Sequence, residues 1–348
     1  MRRSLIALSI LACGSISSSA ETVGEFYKGR PLQLIVGYGP GGGYDVYSRL
    51  IGRYFPKYMP GQPAVVVQNM PGAGSLISIN YLYSVAPKDG SVIGSIDRNM
   101  PLMGLLGISK NVRFDARKFT WLGSSSNFGE DASVMWVVKT SKVRRIQDAQ
   151  GPNGAEIVLG STGQGATGND VAMILRDTLG LRIKQIPGYP DSNAINLAIE
   201  RGEIDGRVAD YSSIASSRPQ WLAYDSPVQP LLQFGRLSRH SNLPDAPTAR
   251  EVVLADKRSL LELAELPNLM SRPYAAPPSI PVDRAQALRK AFMETHADSN
   301  FRVEATRLGV GISPIDGDAV LAAIDKIATA PTALLDQLRA ILEGGRDK

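Results

Sequence analysis

Five of the seven residues from 37 to 43 are glycine, and no helix or strand interior tolerates that density. The run Gly37-Tyr38-Gly39-Pro40-Gly41-Gly42-Gly43 leads into Tyr44 and Asp45. Glycines reach positive φ and carry no Cβ, so such a loop can aim several backbone N–H groups at one point without holding a guest away. A helix starting after the loop adds unpaired first-turn donors and a positive partial charge. The chemistry this favours is anion binding, with a carboxylate as the natural guest. Residues 37–42 also satisfy G-x-G-x-x-G, but a dinucleotide site needs an acidic residue about twenty positions on. No Asp or Glu occurs between Asp45 and Asp89, and the next strand ends in Gln68-Asn69. A Walker A loop needs Lys-Ser/Thr after its last glycine, where this chain has Tyr44. A purely structural turn requires fewer glycines.

The flanking residues position that loop. Leu32–Val36 is mostly apolar or β-branched, as a buried strand should be. Val46, Leu50, Ile51, Tyr54 and Phe55 recur at helical spacing, with Asp45 set to cap the first turn. A second strand over 62–68 runs into Asn69-Met70-Pro71-Gly72-Ala73-Gly74, then a helix over 75–85, a turn at 87–90 and a strand over 92–96. Strands alternating with helices predict a parallel sheet with right-handed crossovers, whose strand ends share one ligand-binding edge. The two glycine loops should therefore lie side by side, joined by residues 95–99.

The logic repeats after an apolar strand at 134–138. A strand over 156–159 precedes the Gly/Ser/Thr loop 160–167 and a helix over 169–179. Next come a strand at Ile183–Ile186, a loop to Ser192, a helix over 193–201 and a strand over 204–208 ending near Asp210. From Val228 a strand leads through the loop 239–248 to helices over 249–263, Val282–Ala297, 301–308, 319–327 and 332–342, with a short strand at 274–276. The expected organisation is a first lobe from 21–138 plus 236–348 and a second from 139–235. Two crossings allow a hinge, and the cleft between two such units is a preferred ligand site.

Residues 1–20 read as an export signal: Arg2 and Arg3, an apolar run from Leu5 to Ala12, and Ser18-Ser19-Ala20 before Glu21. The run is too short to span a bilayer. The expected mature protein is periplasmic, cut after Ala20, with lipidation at Cys13 in a loose lipobox as the lesser alternative. Cleavage after Ala20 removes the only cysteine, and with it any disulfide, thiol nucleophile or Cys-ligated metal. Loss of Arg2 and Arg3 lowers the net charge from +5 to about +3. No basic run with interleaved aromatics appears, which argues against nucleic acid.

Five motifs carry a family resemblance. Residues 39–45 resemble A-P-G-G-G-x-D, and 69–74 resemble N-x-P-G-A-G. Ala86-Pro87-Lys88-Asp89-Gly90 resembles A-x-P-D-G with one insertion, Ser161-Thr162-Gly163-Gln164-Gly165 resembles S-S-G-x-G, and 243–248 resembles L-P-D-V-P-T. In this order and spacing the chain, from about residue 26 to its end, is similar to the Bug family, the extracytoplasmic solute-binding proteins of tripartite tricarboxylate transporters. The resemblance implies an α/β fold of the type II periplasmic-binding-protein kind, with two Rossmann-like lobes around a central cleft. It implies a receptor, not an enzyme, without cofactor or metal, monomeric, delivering a small organic carboxylate (a di- or tricarboxylate or an aromatic acid) to membrane transporter subunits or a sensor. Backbone amides and bound waters from both lobes should hold one carboxylate. Carried over, that assigns Gly41, Gly42, Gly43 and Tyr44 with Ala73 and Gly74 to one lobe. The other lobe contributes Ser161, Thr162, Gly163, Gly165 and Thr167, with Tyr189 and Ser192 in the family's proximal loop.

Some positions depart from the family. Tyr38 and Tyr44 set two phenols beside the first loop next to Asp45, and all three count as candidate contacts. The aspartate usual after the fifth strand is Ala209 here, with Asp210 one step later. Arg98 and Arg207 stand near strand ends, where either could grip a distal carboxylate. A secreted enzyme acting on a small carboxylate or ester is the rival class. The only histidines, His240 and His296, lie outside the glycine loops and any metal spacing, and single histidines are usually partly exposed. Leu159 stands where G-x-S-x-G would need its first glycine.

Overall fold

A computed structural model describes residues 21–344. The expected export signal and Cys13 lie outside the described residues. The first lobe opens with α1 (Val23–Tyr27), β1 (Leu32–Val36), α2 (Gly43–Tyr54), β2 (Val65–Asn69), α3 (Leu76–Ser84), β3 (Val92–Ser95), α4 (Met100–Leu106) and β4 (Thr120–Ser124). The chain then builds β5 (Ser133–Val138), β6 (Ile157–Gly160), α5 (Thr167–Leu179), β7 (Ile183–Ile186), α6 (Ser192–Glu200), β8 (Gly206–Asp210), α7 (Tyr211–Ser217) and β9 (Val228–Phe234). It returns through α8 (Ala249–Val252), α9 (Arg258–Glu265), β10 (Pro273–Ala276), α10 (Val282–Ala297), α11 (Ser299–Arg307), β11 (Ile315–Asp316), α12 (Gly317–Ala328) and α13 (Thr332–Glu343).

Two sheets result, ordered β11-β4-β10-β3-β1-β2 and β7-β6-β8-β5-β9. The β2-β1-β3 and β7-β6-β8 pairings are parallel, as the alternating pattern predicts. The sheets are nevertheless mixed. β10 enters antiparallel between β3 and β4, and β5 runs antiparallel to β8 and β9. This corrects the expected lobe boundary at 138. Residues 133–138 belong to the second sheet, so the chain crosses between Ser124 and Ser133 and returns between Phe234 and Pro273. The predicted helix over 249–263 is also divided, because Val253 and Leu254 adopt extended backbone between α8 and α9.

On one face of the first sheet, Leu50, Ile51 and Phe55 pack with Phe292 and Phe301. A second apolar mass runs from Ile79, Leu82 and Trp121 beside the first sheet to Leu159 and Leu232 of the second and Ile174 of α5. The lobes therefore share a core. Where the strand ends of the two sheets face each other, the contacts are polar instead.

Candidate functional site

The first glycine loop folds as its composition requires. Gly41 has φ +78°, which an L side chain rarely adopts. Gly42 is the N-cap of α2 without a side-chain cap, so the first-turn amides of α2 have no partner within the helix. Asp45 sits inside the first turn, not at its cap. Its Oδ2 accepts the Gly41 N–H (2.8 Å) and Arg49 Nε (2.8 Å), and its Oδ1 accepts Asn69 Nδ2 (2.8 Å). Asn69 Nδ2 also reaches the Tyr38 carbonyl (2.8 Å), so the two glycine loops are tied side by side. In the second loop Ala73, Gly74 and Ser75 all have positive φ. A Cβ on Gly74 would stand 2.8 Å from the Ala166 amide nitrogen, so this glycine lets the second lobe approach.

Across the cleft, the loop after β6 ends at Ala166, the N-cap of α5. The carboxylate that meets this helix start comes from the protein. Asp97, just beyond β3, accepts the Thr167 N–H at 3.2 Å and the Thr167 hydroxyl at 2.8 Å. Its remaining oxygen capacity takes the Tyr38 hydroxyl (2.5 Å) and the Asn99 N–H (2.7 Å). An anion at a helix N-terminus is what the sequence leads one to expect here, but Asp97 supplies it.

A second contact between the lobes is ionic. Arg98 grips Asp210 bidentately, Nη1 to Oδ2 at 2.9 Å and Nη2 to Oδ1 at 2.7 Å. Arg272, immediately before β10, donates Nη1 to the same Oδ2 at 2.6 Å and reaches Asp131 at 3.3 Å through Nη2. Ser133 adds a hydroxyl to Asp210 at 2.9 Å. All these side chains are buried. Burial would raise the Asp210 carboxyl, but the two guanidiniums outweigh it and hold the group well below the ordinary carboxylate range. Burial and the charge of Asp210 push Asp131 up against the pull of Arg272. Arg272 also lies 4.7 Å over the ring of Tyr44, which stacks on Tyr38 at 5.0 Å.

Between these contacts lie two adjoining chambers. The inner one, about 60 Å³, is walled by the α2 start with Tyr38, by the α5 start, and by Ser192, Arg207, Asp210 and Ser213. The outer one, about 240 Å³, shares Tyr38 and Thr162 and is walled by Ala73, Gly74 and Tyr189. Arg207 differs from Arg98. Its Nη1 donates to the Ser192 carbonyl (2.9 Å) and Asn196 Oδ1 (3.0 Å) and its Nη2 to Ser192 Oγ (3.2 Å), with no carboxylate among them; its Nε, like those of Arg98 and Arg272, has no partner. Burial lowers its pKa to about 10. It is a buried cation whose direct partners are all neutral.

The predicted site residues thus divide. Tyr38, Gly42, Gly43, Tyr44, Ser161, Thr162, Thr167, Ser192 and Asp210 line the inner chamber, and Ala73, Gly74 and Tyr189 the outer. Gly41, Asp45, Gly163 and Gly165 line neither. The Gly41 and Gly165 amides are taken by Asp45 and Asp170, and a Cβ on Gly163 would meet nothing closer than 3.8 Å. Asp210 faces the cavity already paired to two arginines. Ser213 and Arg272 were not legible as cleft residues, since Arg272 meets its carboxylate partners 62 and 141 positions away. Asp97 falls within the 95–99 segment expected beside the glycine loops, but its role there carries no motif. Both histidines are buried, contrary to the exposure expected of them: His240 lies against the ring of Tyr211, and His296 against Phe292 and Phe301, where burial drops its pKa to about 4. Among the described residues, no group of His, Cys, Asp and Glu could hold a metal ion, and no helix is long and apolar enough to cross a membrane.

Residues 57–319 match the family model described as tripartite tricarboxylate transporter family receptor. A Cupriavidus necator protein, the UPF0065 protein in the gbd 5′ region, is 26% identical over 255 residues, covering 72% of each chain. The solved structure of the periplasmic binding protein BugD superposes with a TM-score of 0.69 at 18% identity, over 92% of this chain and 98% of that one. MatC from Rhodopseudomonas palustris, solved with bound malate, gives 0.67 at 17% identity, over 90% and 99%. At these identities the two structures share the fold.

Proposed function

The chain belongs to the tripartite tricarboxylate transporter receptor family, and from that membership we propose that it captures a small organic carboxylate between its lobes and delivers it to membrane transporter subunits. The family is one of receptors, not enzymes. The observation that carries the proposal is the inner chamber, where the unpaired first-turn amides of α2 and the guanidinium of Arg207 face one cavity from opposite lobes. Amide donors fixed by a helix start bind carboxylate without reorganisation, and a buried guanidinium adds charge-assisted bonds. The malate held by the similarly folded MatC belongs to the same chemical class. Delivery fits an exported protein, with residues 1–20 as its signal.

Solute capture should stabilise the folded chain against heat. At about 100 times its Kd a ligand adds about 2.7 kcal/mol, which for a chain of this length raises the melting temperature by about 4 °C. A thermal-shift screen of carboxylates against their amides is the test. Stabilisation by an acid and not by its amide supports the proposal, and no shift with any acid refutes it.

A further inference from the structure

Resting on that carboxylate-receptor reading, we propose that the site selects a short-chain monocarboxylate, gripped by Arg207 and the α2 amides, and rejects di- and tricarboxylates. The selection is made by charge. Three charged residues line the inner chamber: Arg207, Asp97 and Asp210. Asp210 is matched by Arg98 and Arg272, and those guanidiniums are directed at Asp210, Asp131 and neighbouring hydroxyl and carbonyl oxygens. Asp97 is satisfied by four neutral donors. The α5 start, which would otherwise hold a second solute carboxylate, is therefore filled from within.

Arg207 is the cation left over. With Nη1 used twice and Nη2 once, the Nε–H and one Nη2–H stay undirected. The Nε is itself buried, so in this arrangement the guanidinium meets a carboxylate in the chamber through Nη2, by a charge-assisted bond. The residue is 8% exposed, so the bond forms out of water, where it is strong. One carboxylate balances one guanidinium. A second would stand in the same cavity as Asp97 and Asp210 with no further cation, and burying an unpaired charge is costly.

Size points the same way. At roughly 10–15 Å³ for each water-sized group, the inner chamber of about 60 Å³ takes about four to six. Propionate or lactate matches that number of heavy atoms; succinate, malate and citrate exceed it and would have to reach past Tyr38 and Thr162 into the outer chamber, where no lining residue is charged to meet a second carboxylate. This departs from the di- or tricarboxylate that the family resemblance leads one to expect.

The test is calorimetric titration of the purified mature protein with propionate, lactate, succinate, malate, citrate and lactamide, repeated on Arg207→Met and Arg207→Lys. Propionate or lactate should bind at least about tenfold more tightly than any di- or tricarboxylate, and lactamide should not bind. Arg207→Met should weaken the best monocarboxylate by about 10- to 100-fold, the worth of a charge-assisted pair, with Arg207→Lys falling between. Circular dichroism identifies a variant that fails to fold, and the wild-type ranking then decides alone. Tighter binding of a dicarboxylate, or wild-type affinity in a folded Arg207→Met, overturns the inference while leaving the receptor function standing. Binding of no carboxylate of any size would defeat the receptor function itself.

Discussion

Asp210→Asn removes one charge from a cluster that joins the lobes, and its cost can be located. Asp210 accepts from Arg98 at 2.9 and 2.7 Å, from Arg272 at 2.6 Å and from Ser133 at 2.9 Å. The two arginines belong to the first lobe, and Asp210 and Ser133 to the second. The arginine side chains are at most 1% exposed. Asparagine keeps the volume but leaves two buried guanidiniums facing Asp131 alone, 3.3 Å from Arg272. Removing one partner of a buried pair costs about 3–5 kcal/mol. That penalty falls on the closed arrangement, since parting the lobes returns both guanidiniums to water. A solute that needs both lobes should therefore bind about two to three and a half orders of magnitude more weakly. Small-angle scattering should show a larger radius of gyration for the variant. Global stability should fall by less than the full 3–5 kcal/mol, because opening relieves the strain before unfolding begins. The reasoning fails if Asp210→Asn keeps wild-type affinity and radius, or if it loses the full stability with no change in radius.

Two further outcomes follow from the geometry. Gly43→Ala should act sterically: its Cβ would overlap Ser213 Oγ of the other lobe and approach Arg272 Nη2 to 3.3 Å. Overpacking of this kind costs about 1–3 kcal/mol, so solute affinity should drop about 5- to 150-fold by calorimetry, while the melting temperature without solute holds. Gly42→Ala is expected to be the milder change for the contact between the lobes, since Gly42 has φ −82° and its Cβ would meet Ser192 at an ordinary 3.6 Å. The second outcome concerns pH. Burial pushes Asp170 up to about 7, against hydrogen bonds from Asn169, Gly165 and Asn99 and with Asp97 nearby. The folded chain then holds this proton more tightly than the unfolded chain does, so its contribution is complete below about pH 4 and is lost as pH rises through 7. His296, depressed to about 4, works oppositely, losing stability as pH falls from 6.5 toward 4. The comparison with Asp170→Asn cancels that background. The stability of the wild type relative to the variant should fall between pH 5 and pH 8 in urea titrations, and a flat difference would contradict the placement of Asp170.

Much of this architecture was legible in the sequence because it is local. The strand, glycine loop and helix start at Leu32–Val36 and Gly43–Tyr54 follow from periodicity and glycine density, and Val282–Ala297 from helical spacing alone. What could not be read depends on long-range pairing. The antiparallel entry of β10 between β3 and β4 joins segments about 150 to 180 residues apart, and four apolar residues carry no mark of direction. The same holds at the site. Glycine loops announce where amides will gather, but not that Asp97 will fill one helix start or that Arg98 will turn to Asp210. Arg98 and Arg207 read alike in sequence, and only their partners separate them.

The central claim, a solute carboxylate held between the α2 start and Arg207, is tested most directly by a crystal structure of the mature protein with its tightest-binding acid from the calorimetric series. The carboxylate oxygens should lie within hydrogen-bond distance, about 2.7–3.2 Å, of first-turn amides of α2 and of the Arg207 guanidinium, with Asp97 still on Thr167. An acid seated in the outer chamber against Gly74 and Tyr189, with Arg207 keeping only Ser192 and Asn196 as partners, would contradict it.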